Sequence, residues 1–331
     1  TGTAVNGAVA ISNCVFGPES GNSPHDHLAI GISSGTSTWT ITGSTFRRTG
    51  NSAINLELRG TAVVTGFTVS GSTFSGAGHT VSARGIFANN LDDSSMGMLL
   101  VQGNTFTGNN IHIDINQQND TDPVGGSTFN VLTNTMTGAN SHAMNIFAAA
   151  GPFGGTFTGT VDGNIIGSAG VTSSGSAIGN GIRVNINGGS DATITLHNNT
   201  IRQTPNGRGI EIISRNGTGG LDVTVTRNNV DTQAPAENFP LAAIFLQSNC
   251  LTVCNTLRAD VRSNVVPSAG TVFDLNDGYL LLAGTGASIL QLVDSTSPIS
   301  GTCATELAGT NTGKVSTSGT CSLITGPIDT P

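Results

Sequence analysis

A six-residue phrase that recurs nine times constrains this chain more than any other feature of its sequence. Its first and sixth residues are apolar in every copy, and successive copies begin 28 to 36 residues apart. The copies are Ile11–Phe16, Ile41–Phe46, Val69–Phe74, Val101–Phe106, Val131–Met136, Val161–Ile166, Leu196–Ile201, Val225–Val230 and Val261–Val266. A repeat of this length indicates one small unit stacked many times, with each unit covering the apolar face of its neighbour.

The fourth position of the phrase predicts a ladder of amide side chains. It holds Cys14, Ser44 and Ser72 in the first three copies. In the remaining copies it is always asparagine, at Asn104, Asn134, Asn164, Asn199, Asn228 and Asn264. If each repeat is one turn of a coil, like positions stack about 4.8 Å apart, which is the spacing of neighbouring strands. Stacked amides can bond one another and the turn backbone, and so satisfy the polar groups of a corner.

A second strand is expected between successive phrases, because apolar and polar residues alternate there with a period of two. Glycine, asparagine, aspartate and serine fill the gaps, which is turn chemistry without a helical stretch. We therefore predict an all-β coil of about nine turns, forming a rod on the order of 40 Å long.

The pattern G/A-I-x-I…I-x-x-N-x-F resembles the right-handed, single-stranded parallel β-helix repeat of the pectate-lyase-like superfamily, over about residues 8–277. The resemblance implies the fold but not the function, because that superfamily includes lyases, hydrolases, tailspikes, adhesins and passenger domains. The polygalacturonase-like motifs are missing apart from the pair Asp92 and Asp93, and the only lysine is Lys314, near the C-terminus. We therefore interpret the chain as closer to surface and adhesin-type solenoids than to the enzymes.

The repeat ends near residue 277, so we expect a β-helix over 1–277 and a strand-rich C-terminal extension over 278–331. Cys303 and Cys321 are expected to form a disulfide in the extension, and Cys250 and Cys254 could close a tight loop, which leaves Cys14 odd. Two disulfides would indicate an extracellular or cell-surface location.

Charge and hydropathy exclude several classes of partner. Charged residues make up only 10% of the chain, and its formal net charge of -8 argues against nucleic acid and anionic membrane surfaces. No apolar run approaches the roughly 18 residues that a membrane-spanning helix needs, so we expect no membrane insertion.

Outward positions of the second strand are expected to form two polar rows. The first row is Asn55, Phe87, Asp114, Asn145, Arg183, Glu211, Phe245 and Asp274. The second row is Glu57, Asn89, Asn116, Phe147, Asn185, Ile213, Gln247 and Asn276. Stacking makes Arg183 and Glu211 neighbours, with Asp114 two turns from Arg183. These three residues are the candidate catalytic set, since carboxylates and an arginine can serve a glycan hydrolase. The alternative interpretation is a solvated polar face with one surface ion pair.

Metal ligands are sparse in the sequence. His25 and His27 form a His-x-His pair, but further ligands are not evident, so we interpret this segment as a solvated loop. Asn119, Asp120 and Asp122 could hold calcium loosely, although a plain turn is the simpler interpretation. We expect no metal site and no cofactor, with calcium as the one possible ligand.

Three functions fit these observations. The first is an extracellular structural or adhesive solenoid, which could associate end to end into a filament or continue into neighbouring repeats of a longer chain. The second is a lyase or hydrolase acting on an acidic polysaccharide. The third is a tailspike-like carbohydrate-binding protein, for which Phe87, Phe147 and Phe245 would be the sugar platforms.

Overall fold

The computed structural model is a parallel β-solenoid in which three sheets run along the coil. It describes residues 4–76, 83–118, 126–150, 155–215, 219–232, 242–249, 256–266, 279–283, 289–293, 302–312, 315–318 and 321–324. Cys250, Cys254, Asn119, Asp120 and Asp122 lie outside the described residues, so the predictions made for them are not addressed. Of the described helices, none has the length and apolar character needed to cross a membrane.

Eight successive turns each contribute one strand to every sheet. The strands of turns one to four are β1 (Gly7–Ser12), β2 (Val15–Phe16), β3 (Leu28–Ile32), β4 (Thr36–Thr42), β5 (Thr45–Thr49), β6 (Ser52–Leu58), β7 (Val63–Ser70), β8 (Thr73–Gly76), β9 (Arg84–Leu91), β10 (Ser95–Gln102), β11 (Thr105–Thr107) and β12 (Ile111–Gln118). Those of turns five to eight are β13 (Ser127–Leu132), β14 (Thr135–Thr137), β15 (Met144–Ala150), β16 (Phe157–Asp162), β17 (Ile165–Ile166), β18 (Ile182–Gly188), β19 (Ala192–His197), β20 (Thr200–Arg202), β21 (Ile210–Arg215), β22 (Gly220–Thr226), β23 (Asn229–Asp231) and β24 (Ile244–Asn249).

The coil continues beyond the eighth turn. Its remaining elements are β25 (Thr256–Arg262), β26 (Tyr279–Ala283), β27 (Ile289–Val293), α1 (Cys303–Thr310), β28 (Val315–Ser318) and β29 (Cys321–Ile324). Sheet 1 has eleven strands from β1 to β29, sheet 2 has eight from β2 to β23, and sheet 3 has ten from β3 to β28. The all-β parallel solenoid is confirmed, and its eight complete turns are close to the nine predicted.

The asparagine ladder is present and runs along the corner between sheets 1 and 2. At a typical rung, the Asn164 Oδ1 atom accepts hydrogen bonds from the backbone N–H and the Nδ2 of Asn134, at 2.9 and 3.0 Å. Its Nδ2 donates to the Val131 carbonyl at 2.8 Å and to Asn199 Oδ1 at 3.0 Å. The ladder gains a member that the phrase did not predict, since Asn264 Nδ2 donates to Asn311 Oδ1 at 2.9 Å.

The residue before the ladder position adopts a left-handed backbone conformation in all nine copies of the phrase. Its φ angle lies between 52° and 65° at Asn13, Gly43, Gly71, Gly103, Thr133, Gly163, Asn198, Arg227 and Ser263. This conformation lets the chain turn sharply enough for the next side chain to point into the corner, and glycine and asparagine adopt it most easily. The third position of the phrase therefore carries a turn signal as regular as the ladder itself.

The core consists of columns of like side chains inside the coil. The sixth-position phenylalanines stack in parallel, with ring centroids 4.7 Å apart for Phe16 and Phe46, 4.9 Å for Phe46 and Phe74, and 4.6 Å for Phe74 and Phe106. All but Phe16 are fully buried. Since apolar burial contributes about 25 cal/mol per Å² removed from water, these columns supply the main driving force for folding.

The C-terminal part of the chain adds strands to the same sheets. The row members Asp274 and Asn276 lie outside the described residues, and β26 lies next to β24, where Leu280 pairs with Phe245. Between β27 and β28 the chain forms α1, capped at its N-terminus by Thr302, and packs Leu307 fully into the core. The predicted bridge between Cys303 and Cys321 is present and ties α1 to β29, while Cys14 is an exposed free thiol.

Candidate functional site

The first predicted row exists on the outer face of sheet 3. The register pairs Asn55, Phe87, Asp114, Asn145, Arg183, Glu211 and Phe245 in that order across six consecutive strand pairs. Two rungs separate Asp114 from Glu211, occupied by Asn145 and Arg183. The structure therefore brings Arg183 and Glu211 together and places Asp114 three turns away from Glu211, about 14 Å at the spacing of parallel strands.

Asp114 is buried and fully engaged. Its side-chain Oδ2 lies 2.7 Å from the Nε of Arg84, and its Oδ1 accepts a hydrogen bond of 2.8 Å from Asn145 Nδ2. Burial raises the pKa of the Asp114 carboxyl, and the hydrogen bond from Asn145 and the charge of Arg84 oppose that shift. The ion pair with Arg84 therefore compensates part of the cost of placing this carboxylate out of water.

Glu211 is the centre of a second cluster on the same face. Its Oε2 accepts hydrogen bonds from Arg183 Nε at 3.0 Å and from Asn180 Nδ2 at 2.9 Å. Its Oε1 forms an ion pair with Arg208. Glu211 is 6% exposed, so two guanidinium groups and an amide surround its carboxylate in place of water.

Asn145 and Arg183 belong to the predicted row, but the other groups of these clusters come from positions that the sequence analysis did not consider. Arg84, His142, Asn180 and Arg208 each lie three residues before a member of the row, where a strand of sheet 3 begins. Arg84 is the first residue of β9, and it pairs with Ser52 and Ile111 on the neighbouring strands, so it flanks the row within sheet 3. The spacing of three residues between these positions and the row is present in the sequence, but a search for residues that alternate with a period of two does not select them.

His142 lies between the two clusters as a neutral side chain. Its Nδ1 accepts a hydrogen bond of 3.0 Å from the backbone N–H of Asn180. Burial lowers the pKa of His142 to about 4, the charge of Arg183 lowers it further, and Glu211 opposes the shift. At neutral pH this imidazole therefore adds no charge to the face.

Two of the three expected aromatic platforms are covered by arginine. The guanidinium of Arg84 lies 4.5 Å above the centre of the Phe87 ring, and that of Arg208 lies 3.7 Å above the Phe245 ring. These are cation–π contacts, and they hold each guanidinium in place between a ring and a carboxylate. Phe147 is half-buried and has no guanidinium over it among the described contacts.

The charges of this face differ in sign from those of the whole chain. Three guanidinium groups, those of Arg84, Arg183 and Arg208, surround the two carboxylates of Asp114 and Glu211, which leaves a local excess of one positive charge. The protein carries a net charge of -8. We refer to these five residues, with His142, Asn145 and Asn180, as the arginine face.

The first end of the row is closed by the loop before β3, which the sequence analysis interpreted as solvated. Asp26 instead accepts hydrogen bonds of 2.8 Å from Asn51 Nδ2, the Ser52 N–H and Asn55 Nδ2. His27 contacts Thr49 Oγ1 at 3.2 Å, and burial lowers its pKa. The solvated interpretation is therefore wrong for Asp26, because this carboxylate satisfies three N–H groups at the start of β6.

Among the residues that the structure describes, no group of three or more histidine, cysteine, aspartate or glutamate side chains is arranged to hold a metal ion. Comparison with protein-family models, with curated proteins and with solved structures finds no match to this chain. The interpretation of the arginine face therefore depends on its own chemistry.

Proposed function

We propose that this protein is an extracellular adhesive β-solenoid that binds an acidic glycan on the arginine face. The observation that carries the proposal is the concentration of three guanidinium groups around two buried carboxylates in a chain of net charge -8. Guanidinium groups recognise carboxylates and sulfates through paired N–H donors. A repulsive overall charge with a local positive face would also orient an anionic polymer toward this sheet.

Rigid presentation of the arginines supports binding. Each carboxylate holds its guanidinium partners through ion pairs, and two of the guanidiniums also rest on phenylalanine rings. Side chains that are already ordered lose less conformational entropy when a ligand arrives. The acidic residues in this proposal therefore position the arginines and do not react with the glycan.

The spacing of the carboxylates disfavours hydrolysis by this pair. Inverting glycosidases hold their two carboxyl groups about 6.5–9.5 Å apart, and retaining enzymes about 5–5.5 Å apart. Asp114 and Glu211 are separated by about 14 Å along the coil axis. Both are also occupied by arginine, so neither offers a free carboxylate to act as a general base.

A glycan array with neutral and uronic-acid oligosaccharides tests the proposal. We expect the wild-type chain to bind uronic-acid glycans and Arg183→Gln to weaken that binding about tenfold, the effect of about 1.4 kcal/mol. Arg262→Gln is the matched control, since Arg262 is paired with Asp260 on sheet 1 and its loss changes the net charge equally. Equal binding by wild type and Arg183→Gln, or no binding to any acidic glycan, would refute the proposal.

The same samples distinguish binding from catalysis. We expect bound oligosaccharides to be recovered intact, without new reducing ends or unsaturated uronides. Products that disappear in Glu211→Gln and Asp114→Asn, with folding retained, would instead assign the lyase or hydrolase function that the sequence analysis left open.

End-to-end self-association stays a prediction. At the C-terminal end of the described coil, α1 buries Leu307 and is linked to β29 by the disulfide. The last described strands of sheets 1 and 3 are β29 and β28, so a stacking copy would pair along the outer edges of these two strands. Electron microscopy decides the matter, since a filament would show rods with a subunit repeat of about 45–50 Å, the strand spacing summed over nine or ten turns.

A further inference from the structure

Sheet 2 presents a regular array of hydroxyl groups on its outer face. Its strands β5, β8, β11 and β14 begin with threonine, and the register pairs Thr45, Thr73, Thr105 and Thr135 in one rank. Two residues further along each strand, Ser75, Thr107 and Thr137 pair in a second rank. We call these seven residues the threonine face.

The threonine face is open to solvent and uncharged. Thr73, Thr105, Thr107 and Thr135 are exposed, and the other three members are half-buried. The first-rank hydroxyls make no hydrogen bond to another described residue. Arg47 borders the array beside Ser75, and Ile165 borders it beside Thr135. Within these borders the only functional groups are hydroxyls and methyls.

The spacing of the array is held by the interior. Each first-rank threonine directly follows a ladder residue, at Ser44, Ser72, Asn104 and Asn134, and so lies beside the hydrogen bonds of that corner. The residues between the two ranks, Phe74, Phe106 and Met136, are fully buried in the stacked core column. The hydroxyls therefore sit on a stiff support and cannot drift apart independently.

These constraints set the two repeats of the array. Neighbouring rungs lie about 4.8 Å apart, and residues two positions apart on a strand lie about 6.6 Å apart. Both repeats are close to oxygen–oxygen repeats on the surfaces of hexagonal ice. Threonine also suits an ordered water layer, since its hydroxyl joins the hydrogen-bond network while its methyl group fills the space between water molecules.

Threonine alone does not distinguish this face, because β-branched residues are frequent at outward strand positions. On sheet 1 the comparable row starts with Thr40 and Thr68, is interrupted by Leu100 and Asn130, and continues with three threonines before Asp260. These three are Thr160, Thr195 and Thr224, and they are half-buried, whereas four members of the threonine face are exposed. Sheet 3 carries the charged arginine face. The threonine face has the longest unbroken threonine rank of these rows.

We propose that the threonine face binds ice. The ligand is the ordered water of a growing ice surface, and the site is distinct from the arginine face on sheet 3. The proposed consequence is that the adsorbed protein slows the growth and recrystallisation of ice.

The experiment uses a growing ice crystal as the probe. We expect the wild-type chain, labelled with a fluorophore at an amine, to enter a slowly growing ice hemisphere and to inhibit recrystallisation. Thr105→Lys places a charge in the middle of the array and should raise the concentration needed for inhibition about tenfold. Thr105→Val keeps the shape and removes one hydroxyl, and should have a smaller effect in the same direction.

Thr224→Lys is the matched control, because Thr224 is a half-buried outward threonine on sheet 1 and pairs with Asp260. We expect this variant to inhibit like the wild type. Circular dichroism and the melting temperature verify that each variant is folded. Exclusion of the folded wild-type chain from ice, or equal losses in Thr105→Lys and Thr224→Lys, would overturn the proposal.

Discussion

Removing one amide from the middle of the ladder should cost far more stability than removing a single ordinary hydrogen bond. In Asn164→Ala, the backbone N–H and Nδ2 of Asn134 lose their acceptor, and the Val131 carbonyl loses its side-chain donor. Asn164 is fully buried, so water cannot replace these partners without opening the corner. An unsatisfied buried group costs about 1–3 kcal/mol, which predicts a loss of about 3–9 kcal/mol for the three affected groups together.

Urea unfolding followed by circular dichroism measures this loss. Ser44→Ala is the control at the same position of an earlier rung, where the hydroxyl accepts one bond from the Cys14 N–H at 3.2 Å and donates one to Thr42. Its expected cost is about 1–2 kcal/mol. If Asn164→Ala costs no more than Ser44→Ala, the ladder does not contribute through its buried hydrogen bonds and the reasoning fails.

Three further predictions concern the backbone, the histidines and the disulfide. Thr133→Gly should raise the free energy of unfolding by about 0.5–1 kcal/mol, because the strain of a left-handed threonine that it removes exceeds the entropy that glycine adds to the unfolded chain. Gly103→Thr should lower the free energy of unfolding in the same urea assay, although a side chain at this position meets open space. Burial lowers the pKa of His112 to about 3 and that of His142 to about 4. As the pH falls, these histidines are protonated in the unfolded chain before they are protonated in the folded one. The free energy of unfolding should therefore decrease below about pH 6.5, by up to about 1.4 kcal/mol per pH unit for each histidine. The loss due to His142 should end near pH 4, and unfolding midpoints at pH 7 and 5 should differ less in His142→Asn; identical wild-type midpoints would contradict this. The double variant Cys303→Ser and Cys321→Ser removes a bridge that spans 18 residues and is worth about 3 kcal/mol, so hydrogen exchange should speed up in α1 and β29 but not in β11.

The residues that point into the coil could be predicted from the sequence, because every turn must pack its side chains against those of the turns on either side. Asn134 contacts Asn104 and Asn164, and Phe74 contacts Phe46 and Phe106. The same residue type therefore recurs at the same position of successive copies, and this recurrence identifies the position in the sequence. Asn311 was not predicted, because it follows Asn264 by 47 residues, a longer interval than any between copies of the phrase. In addition, no apolar residue stands at the sixth position of the phrase after it. The geometry of the corner nevertheless selects an asparagine there.

The arginine face obeys no such repetition. Its row members, and the contact of Arg183 with Glu211, follow from the period of the strand and the stacking of turns. Arg84 and Arg208, however, are long side chains that reach Asp114 and Glu211 from flanking positions. Whether Arg84 turns toward Phe87 and Asp114 depends on which residues occupy the adjacent turns, and each turn differs at these positions. Spacing along the chain therefore predicts which residues share a face and which members of the row are neighbours, but not the pairs that the flanking arginines form.

This division has a consequence for how function can arise on such a fold. The columns inside the coil tolerate little change, since each residue packs against two neighbours of its own kind. Exposed outward residues contribute less to stability, because surface pairs are worth at most about 1 kcal/mol, so these positions can vary without loss of the fold. The arginine face and the threonine face lie on different sheets of one coil and share no residue. Substitutions that abolish glycan binding on sheet 3 should therefore leave ice adsorption on sheet 2 unchanged, and the reverse should hold for Thr105→Lys.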